Sequence, residues 1–276
     1  MKLGEMQALK LVRFKDFGAY LGEDGGKDTV LLPKKDVPEG AQIGDMVRVF
    51  LYKDSEDRLI STTREPKVTL NHFAVLTVKE VTKIGAFLDW GLEKDLFLPY
   101  REMKGRVEPG DEILARLYID KSGRLAASMR GIFKLLSHHA PYSKGDMVTG
   151  RVYEFGYEFG TFVAVDDQYD AMIPKFENTR HLRIGDVVDL RVTGVKEDGK
   201  LDVSMRKSAV EEIPEDAQKV LDLLASYAGV LPFSEKASPE VIFRETGMSK
   251  NAFKRAVGHL YKERKVTIDN GKIRLA

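Results

Sequence analysis

The sequence predicts a mainly β chain: three tandem five-stranded barrels, followed by a small α+β domain. Three observations carry this expectation. The same four short elements recur in the same order three times. The recurring blocks read as strands with glycine turns and almost no helix. The last quarter of the chain changes period, from alternation to helical spacing.

The repeat is clearest at its end. RLISTTR (58–64), RLAASMR (124–130) and KLDVSMR (200–206) are alternating runs that close on arginine, as a half-buried strand would. About 20 residues before each arginine stands a Gly-Asp turn leading into a β-branched run, in IGDMVRV (43–49), PGDEILARL (109–117) and IGDVVDLRV (184–192). Further upstream lies an aromatic-glycine element: FGAYL (17–21), IGAFL (84–88) and FGTFV (159–163). An apolar run ending in proline follows it: VLLP (30–33), LFLP (96–99) and AMIP (171–174). Five strands in roughly 60–70 residues fit an OB-type barrel, in which closure removes exposed sheet edges. The expected modules are 1–64, 71–130 and 142–206, with a fourth domain at 214–276.

The fourth domain opens on Val220, Leu221, Leu223 and Leu224 at helical spacing. Ser238-Pro239 reads as an N-cap with proline at the first helical position, and Gly247 as the stop. Ser249 caps a further helix with Phe253, Val257, Leu260 and Tyr261 expected on one face. KVTI, Asp269-Asn270-Gly271 and KIRL then form a hairpin, for which Asn-Gly between alternating runs is a strong signal. Three helices and a terminal hairpin make a winged helix-turn-helix.

Composition narrows the function classes. Hydrophobic residues are 43% and charged residues 32% of the chain, as in soluble globular proteins. No apolar run approaches the ~18 residues a membrane span requires, and no leader pattern opens the chain. These features and the absence of cysteine fit a reducing cytoplasm and exclude disulfides and thiolate metal sites. The formal net charge is only +1. By module it is about 0, +1 and −3, with about +3 in residues 214–276. A polyanion would therefore be held by local patches and stacking rather than by overall charge.

The third block, KGDMVTGRV through FGTFV, MIP and IGDVVDLRV to GKLDVSMR, resembles the S-one domain, an RNA-binding OB module. Three such modules followed by a winged helix resemble one bacterial family, conserved virulence factor B (CvfB, YitL-like). The resemblance covers essentially the whole chain. It implies a cytoplasmic RNA-binding protein that influences gene expression, virulence genes included. It also implies where RNA would sit. In such modules aromatic rings on the second and third strands stack on bases, each worth about 1–3 kcal/mol, while cations follow the backbone.

The corresponding rings are Phe17 and Tyr20 in repeat 1, Phe87 in repeat 2, where Ile84 replaces the other ring, and Phe159 and Phe162 in repeat 3. Residues three apart on a strand face opposite ways unless a bulge intervenes, and the glycine between them is expected to supply it. The alternative is that these rings fill the barrels. The family's histidine after the third strand is proline here (Pro33, Pro99, Pro174), with Lys34, Lys35, Tyr100 and Lys175 nearby. An aspartate and a basic residue four apart near the last hairpin appear as Asp54 and Arg58, and as Asp120 and Arg124. Repeat 3 has Lys196 and Lys200. The cation would meet a phosphate, or else the pair is a solvated hairpin contact of little worth.

In the winged helix, Lys250, Lys254, Arg255, His259 and Lys262 lie on the third helix and Lys265, Lys272 and Arg274 on the wing, as cations are offered to a nucleic-acid groove. The alternative is an ordinary solvated face. No cofactor or metal is expected. Asp166, Asp167 and Asp170 cluster without a calcium-loop pattern, His138 and His139 are adjacent and share no helix face, and no phosphate loop or catalytic triad stands out. The expectation is a non-catalytic binder of single-stranded RNA, with several weak modules joined by short linkers (65–70, 131–141) that raise effective concentration. The alternatives are a DNA-binding regulator led by the winged helix, and a protein adaptor on a ribosome or RNase assembly. The sequence leaves the oligomeric state open.

Overall fold

The computed structural model describes residues 1–156, 158–206, 209–269 and 271–276, the side chains of 209–214 excepted. The chain forms two compact units, Met1–Met205 and Arg206–Ala276. The first holds fifteen strands in three five-stranded sheets.

Barrel 1 comprises β1 (Met6–Lys15), β2 (Gly18–Gly22), β3 (Thr29–Pro33), β4 (Met46–Lys53) and β5 (Leu59–Thr62), closed in the order β1-β2-β3-β5-β4. Barrel 2 has β6 (Phe73–Val81), β7 (Gly85–Asp89), β8 (Leu96–Pro99), β9 (Glu112–Ile119) and β10 (Leu125–Ser128). Barrel 3 has β11 (Met147–Gly156), β12 (Gly160–Val165), β13 (Tyr169–Pro174), β14 (Val187–Val195) and β15 (Leu201–Ser204), closed like the first. Closure rests on a short parallel pairing: Leu31 against Ile60 in barrel 1, and Ala171 and Met172 against Leu201 and Asp202 in barrel 3. Barrel 2 is barrel-like, but its sheet runs β10-β9-β6-β7-β8 without a ladder across the β8–β10 seam.

Alternation places the cores. In β2, Ala19 and Leu21 point inward to meet Leu9, Leu11, Val30, Leu32, Val47, Val49 and Leu51. One continuous apolar cluster fills barrels 2 and 3 and reaches barrel 1 at Phe50, whose ring meets the indole of Trp90 edge-on at 5.6 Å. The linkers belong to the fold. Leu70 bridges to Leu117 and Ser137 to Tyr169. The stretch expected as a short helix after Arg130 is a 3-10 turn at Ile132–Lys134, and Ile132 and Leu136 pack with Leu114, Tyr153 and Ala164 between barrels 2 and 3.

A buried arginine fastens that second joint. Arg151, 8% exposed, donates to the Asp167 carboxylate at 2.8 and 3.3 Å and to the backbone carbonyls of Glu112 and Gly185, each at 3.2 Å. Gly185 sits at φ +94, where a β-carbon would stand 2.6 Å from the Glu112 carbonyl oxygen. Asp166 accepts from the Tyr142 hydroxyl, and Asp170 from the Tyr153 hydroxyl at 2.7 Å. The acidic cluster of repeat 3 is thus divided among three structural contacts.

The second unit contains α1 (Ala209–Ser226), β16 (Val230–Leu231), α2 (Pro239–Thr246), α3 (Lys250–Lys262), β17 (Val266–Asp269) and β18 (Lys272–Leu275), with sheet order β16-β18-β17. The Ser238 hydroxyl accepts from the Val241 amide and that of Ser249 from the Ala252 amide, while Gly247 stops α2 at φ +68. Asn270, expected in the wing turn, lies outside the described residues. Phe253, Ala256, Val257 and Leu260 are the buried face of α3. Tyr261, expected with them, is 56% exposed, because Ala256 and Leu260 set the inward stripe one residue earlier.

Removing the Arg151 guanidinium strands two carbonyls and a carboxylate. Arg151→Ala is expected to cost the three-barrel unit about 2 kcal/mol, the lower part of the buried-pair range because Asp167 reaches solvent. The one tryptophan, Trp90, reports on this unit, so its fluorescence should show a lower urea midpoint.

Candidate nucleic-acid interface

Each barrel repeats one local device. Gly18, Gly85 and Gly160 open the second strand at φ +153, +156 and +147. A β-carbon there would stand 2.1, 2.3 and 2.1 Å from the carbonyl oxygens of Leu32, Leu98 and Ile173. Only glycine fits such a contact. The expected bulge lies elsewhere, on the neighbouring strand, between Leu11 and Arg13, Val78 and Glu80, and Val152 and Glu154. The glycine conformation and the bulged partner together break the alternation, so residues three apart share a face.

The rings are accordingly outside the barrels. Phe17 is 57% and Phe159 65% exposed, and Ile84 takes the same outward place at 65%. Tyr20, Phe87 and Phe162 are half-buried behind them. Phe17 and Tyr20 meet edge-to-face at 6.2 Å. Repeat 2 keeps two rings despite Ile84, because Phe97 on β8 packs on Phe87 at 5.4 Å; the equivalent residues by strand register are Leu31 and Met172. That substitution was readable in LFLP, from a ring where the other repeats have aliphatic chains.

The hairpin cations behave differently in each repeat. Arg58 pairs with Asp54 at 2.7 Å and with Glu56 at 2.9 Å. Partial burial opposes it, but the hydrogen bonds from Arg58 still hold the Asp54 carboxyl below its usual range. Arg124 does not pair through its side chain with Asp120, which instead accepts from the Ser122 hydroxyl and the Ser122 and Arg124 amides. The Arg124 guanidinium crosses to Asp57 of barrel 1. That hydrogen bond holds the Asp57 carboxyl below its usual range. Lys200 lies 3.3 Å from Asp198 and 3.9 Å from Asp170. Burial pushes the Asp170 carboxyl up, against the Tyr153 hydrogen bond and the charge of Lys200.

Grooves gather these groups. In barrel 3 a groove of 280 Å³ brings together Phe159, Phe162, Met172, Lys196 and Lys200, with Asp170 at its base. In barrel 2 a groove of 320 Å³ joins Ile84, Phe87, Phe97 and Arg124 to Tyr52 and Asp57 of barrel 1. Lys175 is tied to the ring edge, its amide donating to the Phe159 carbonyl at 3.2 Å, but its side chain lines a neighbouring cleft with Phe176 and Arg180. Lys34 is held alike by the Phe17 carbonyl at 3.0 Å. Lys35 pairs with Glu93, and the Tyr100 hydroxyl donates to the Thr82 carbonyl at 2.5 Å. One cation escaped sequence reasoning: Arg13 lies over the Tyr20 ring at 4.5 Å.

On the winged helix, Lys254, Arg255 and Lys262 are exposed along α3, and Lys272 on β18. Lys250 is half-buried, and its ammonium donates to the Ala237 carbonyl at 2.9 Å. His259 faces Glu263 at 3.2 Å. Among the described residues, no helix is long and apolar enough to cross a membrane.

The family comparisons agree with this geometry. The S1 domain model matches residues 3–64 and 72–130. The model of the virulence regulatory factor CvfB second domain matches 134–207, and that of the CvfB-like winged helix domain 218–275. The uncharacterized protein YitL of Bacillus subtilis is 32% identical, over 98% of this chain and 93% of its own length. Conserved virulence factor B of Staphylococcus saprophyticus is 31% identical, over 85% of this chain and 81% of its own. A Streptococcus pneumoniae crystal structure described as a multidomain protein with nucleic acid binding domains superposes with a TM-score of 0.58 at 28% identity, covering 99% of this chain and 98% of that one. S1 domains and a winged helix are the architecture of a nucleic-acid-binding protein. Matching models in every module and near-full-length relatives make the conclusion plain: the chain belongs to the conserved virulence factor B (CvfB, YitL-like) family.

Proposed function

We propose that this chain is a cytoplasmic, non-catalytic binder of single-stranded RNA that regulates gene expression after transcription. The observation that carries the reading is the outward pair of rings on each barrel, fixed by a glycine that no other residue can replace and bordered by hairpin cations. Exposed rings on a curved sheet favour unpaired bases, which every base can satisfy by stacking. Neither the chain's net charge of +1 nor any groove offers a deep electropositive channel for a duplex. The modules taken as binding units are 1–64, 71–130 and 142–206. The contact residues are Phe17, Tyr20, Arg58, Phe87, Arg124, Phe159, Phe162, Lys175 and Lys200. The relatives named conserved virulence factor B support the regulatory part, and the pneumococcal protein's description supports nucleic acid as the ligand.

Replacing Phe17, Tyr20, Phe87, Phe159 and Phe162 together by alanine is expected to weaken binding of a labelled oligouridylate at least tenfold, since each lost stack costs about 1–3 kcal/mol. Binding by the unmodified chain should also fall as salt rises. A folded ring-less variant with unchanged affinity would remove the basis of this reading.

A second reading, duplex DNA held by the winged helix, is favoured by one feature: Lys254, Arg255, Lys262 and Lys272 are exposed on α3 and the wing. Residues 206–276 form a compact unit and can be tested alone. On the RNA reading, duplex DNA binds this unit weakly and without sequence preference; a sequence-specific complex favours the DNA reading.

A further inference from the structure

Resting on the RNA reading, we propose that barrel 1 is the principal single-strand-binding face and that Arg13 is the residue that makes it so. The three barrels can be compared position by position, because the register between the first two strands is the same in each. The residue across from the inner ring is Arg13 opposite Tyr20, Glu80 opposite Phe87 and Glu154 opposite Phe162. One place beside the stacking platform therefore carries a guanidinium in barrel 1 and a carboxylate in barrels 2 and 3.

Arg13 is exposed and lies over the Tyr20 ring at 4.5 Å, while Phe17 meets the same ring edge-on. Among the described residues it forms no ion pair with a carboxylate. Stacked guanidinium and ring extend the platform. A base can lie on the outer guanidinium plane, and the N–H groups at its edge can donate to the adjoining phosphate.

The other faces lack this arrangement. Glu80 is exposed beside Phe87, and Arg124 in the same groove is already bound to Asp57. Glu154 engages Lys104 at 2.5 Å, which leaves that position with no net cation, and Asp170 lies at the base of the groove. Carboxylates at the ring edge repel a phosphate backbone, so a strand that could use any of the three faces is drawn to the first. The preference inverts the one that ring count alone would give, because barrel 3 has the same two rings.

The test uses the full chain and a labelled oligouridylate followed by fluorescence anisotropy. Arg13→Glu is expected to weaken binding about tenfold and to flatten its salt dependence. Arg13→Lys, which keeps the charge without the planar fork, should fall between. Glu154→Arg should strengthen binding by creating a second face of the same kind. If Arg13→Glu lowers the melting temperature, Arg13→Gln is read in its place with the same expected direction. Unchanged affinity in a folded Arg13 variant, with loss in Phe159→Ala/Phe162→Ala, overturns the assignment to barrel 1 and leaves the RNA reading standing. A wild-type chain that binds no single strand contradicts both.

Discussion

A glycine pressed against a carbonyl oxygen is the constraint on which the binding surface depends. At Gly18, Gly85 and Gly160 the second strand begins so close to the third that a β-carbon would be driven to within 2.3 Å or less of the opposing oxygen. The backbone can come that near only with positive φ, and that conformation throws the preceding side chain outward instead of continuing the alternation. The bulge on the neighbouring strand then accommodates the shift. Two aromatic rings reach the same outer face because the backbone leaves them no other place, and the aliphatic residues between them are left to fill the barrel. The core and the platform are thus made by one stretch of five residues in each module.

The joints give that surface its second property. Separate beads on short tethers would gain affinity through effective concentration alone. Here residues 1–205 are one compact unit, with Phe50 against Trp90 at the first joint and Arg151 in a cage of carbonyls and carboxylate at the second. Faces held in fixed relation lose less freedom on binding. The same joints also make the repeats unequal. The Asp57 that draws Arg124 across the first joint occupies the cation that would otherwise meet a phosphate on barrel 2. Lys104, reaching across the second, quiets the carboxylate of Glu154 on barrel 3.

Much of this was legible in the sequence. The repeated Gly-Asp turns, the aromatic-glycine elements and the arginine-terminated runs define three barrels, and Ser238, Gly247 and Ser249 mark the helix ends where the caps are found. What local patterns could not convey was set by tertiary contacts. The bulge sits on the strand opposite the glycine, because relief is needed where the two strands pair and not at the glycine itself. Arg124 follows Asp120 at the hairpin spacing, yet its partner comes from another module, beyond the reach of any spacing argument. Tyr261 fitted a helical stripe, but Ala256 and Leu260 fill the inward face and leave the phenol in solvent. Arg13 was invisible, since no motif couples it to Tyr20; only the cross-strand register brings the two together.

The most direct measurement is the position of covalent adducts after ultraviolet irradiation of the full chain with single-stranded RNA carrying a photoreactive uridine, mapped by mass spectrometry of the peptides. If outward rings on glycine-anchored strands are the ligand surface, adducts fall on the second strands of the barrels, foremost at Phe17 and Tyr20. Adducts confined to α3 and the wing would contradict that account and place the nucleic-acid site in the winged helix.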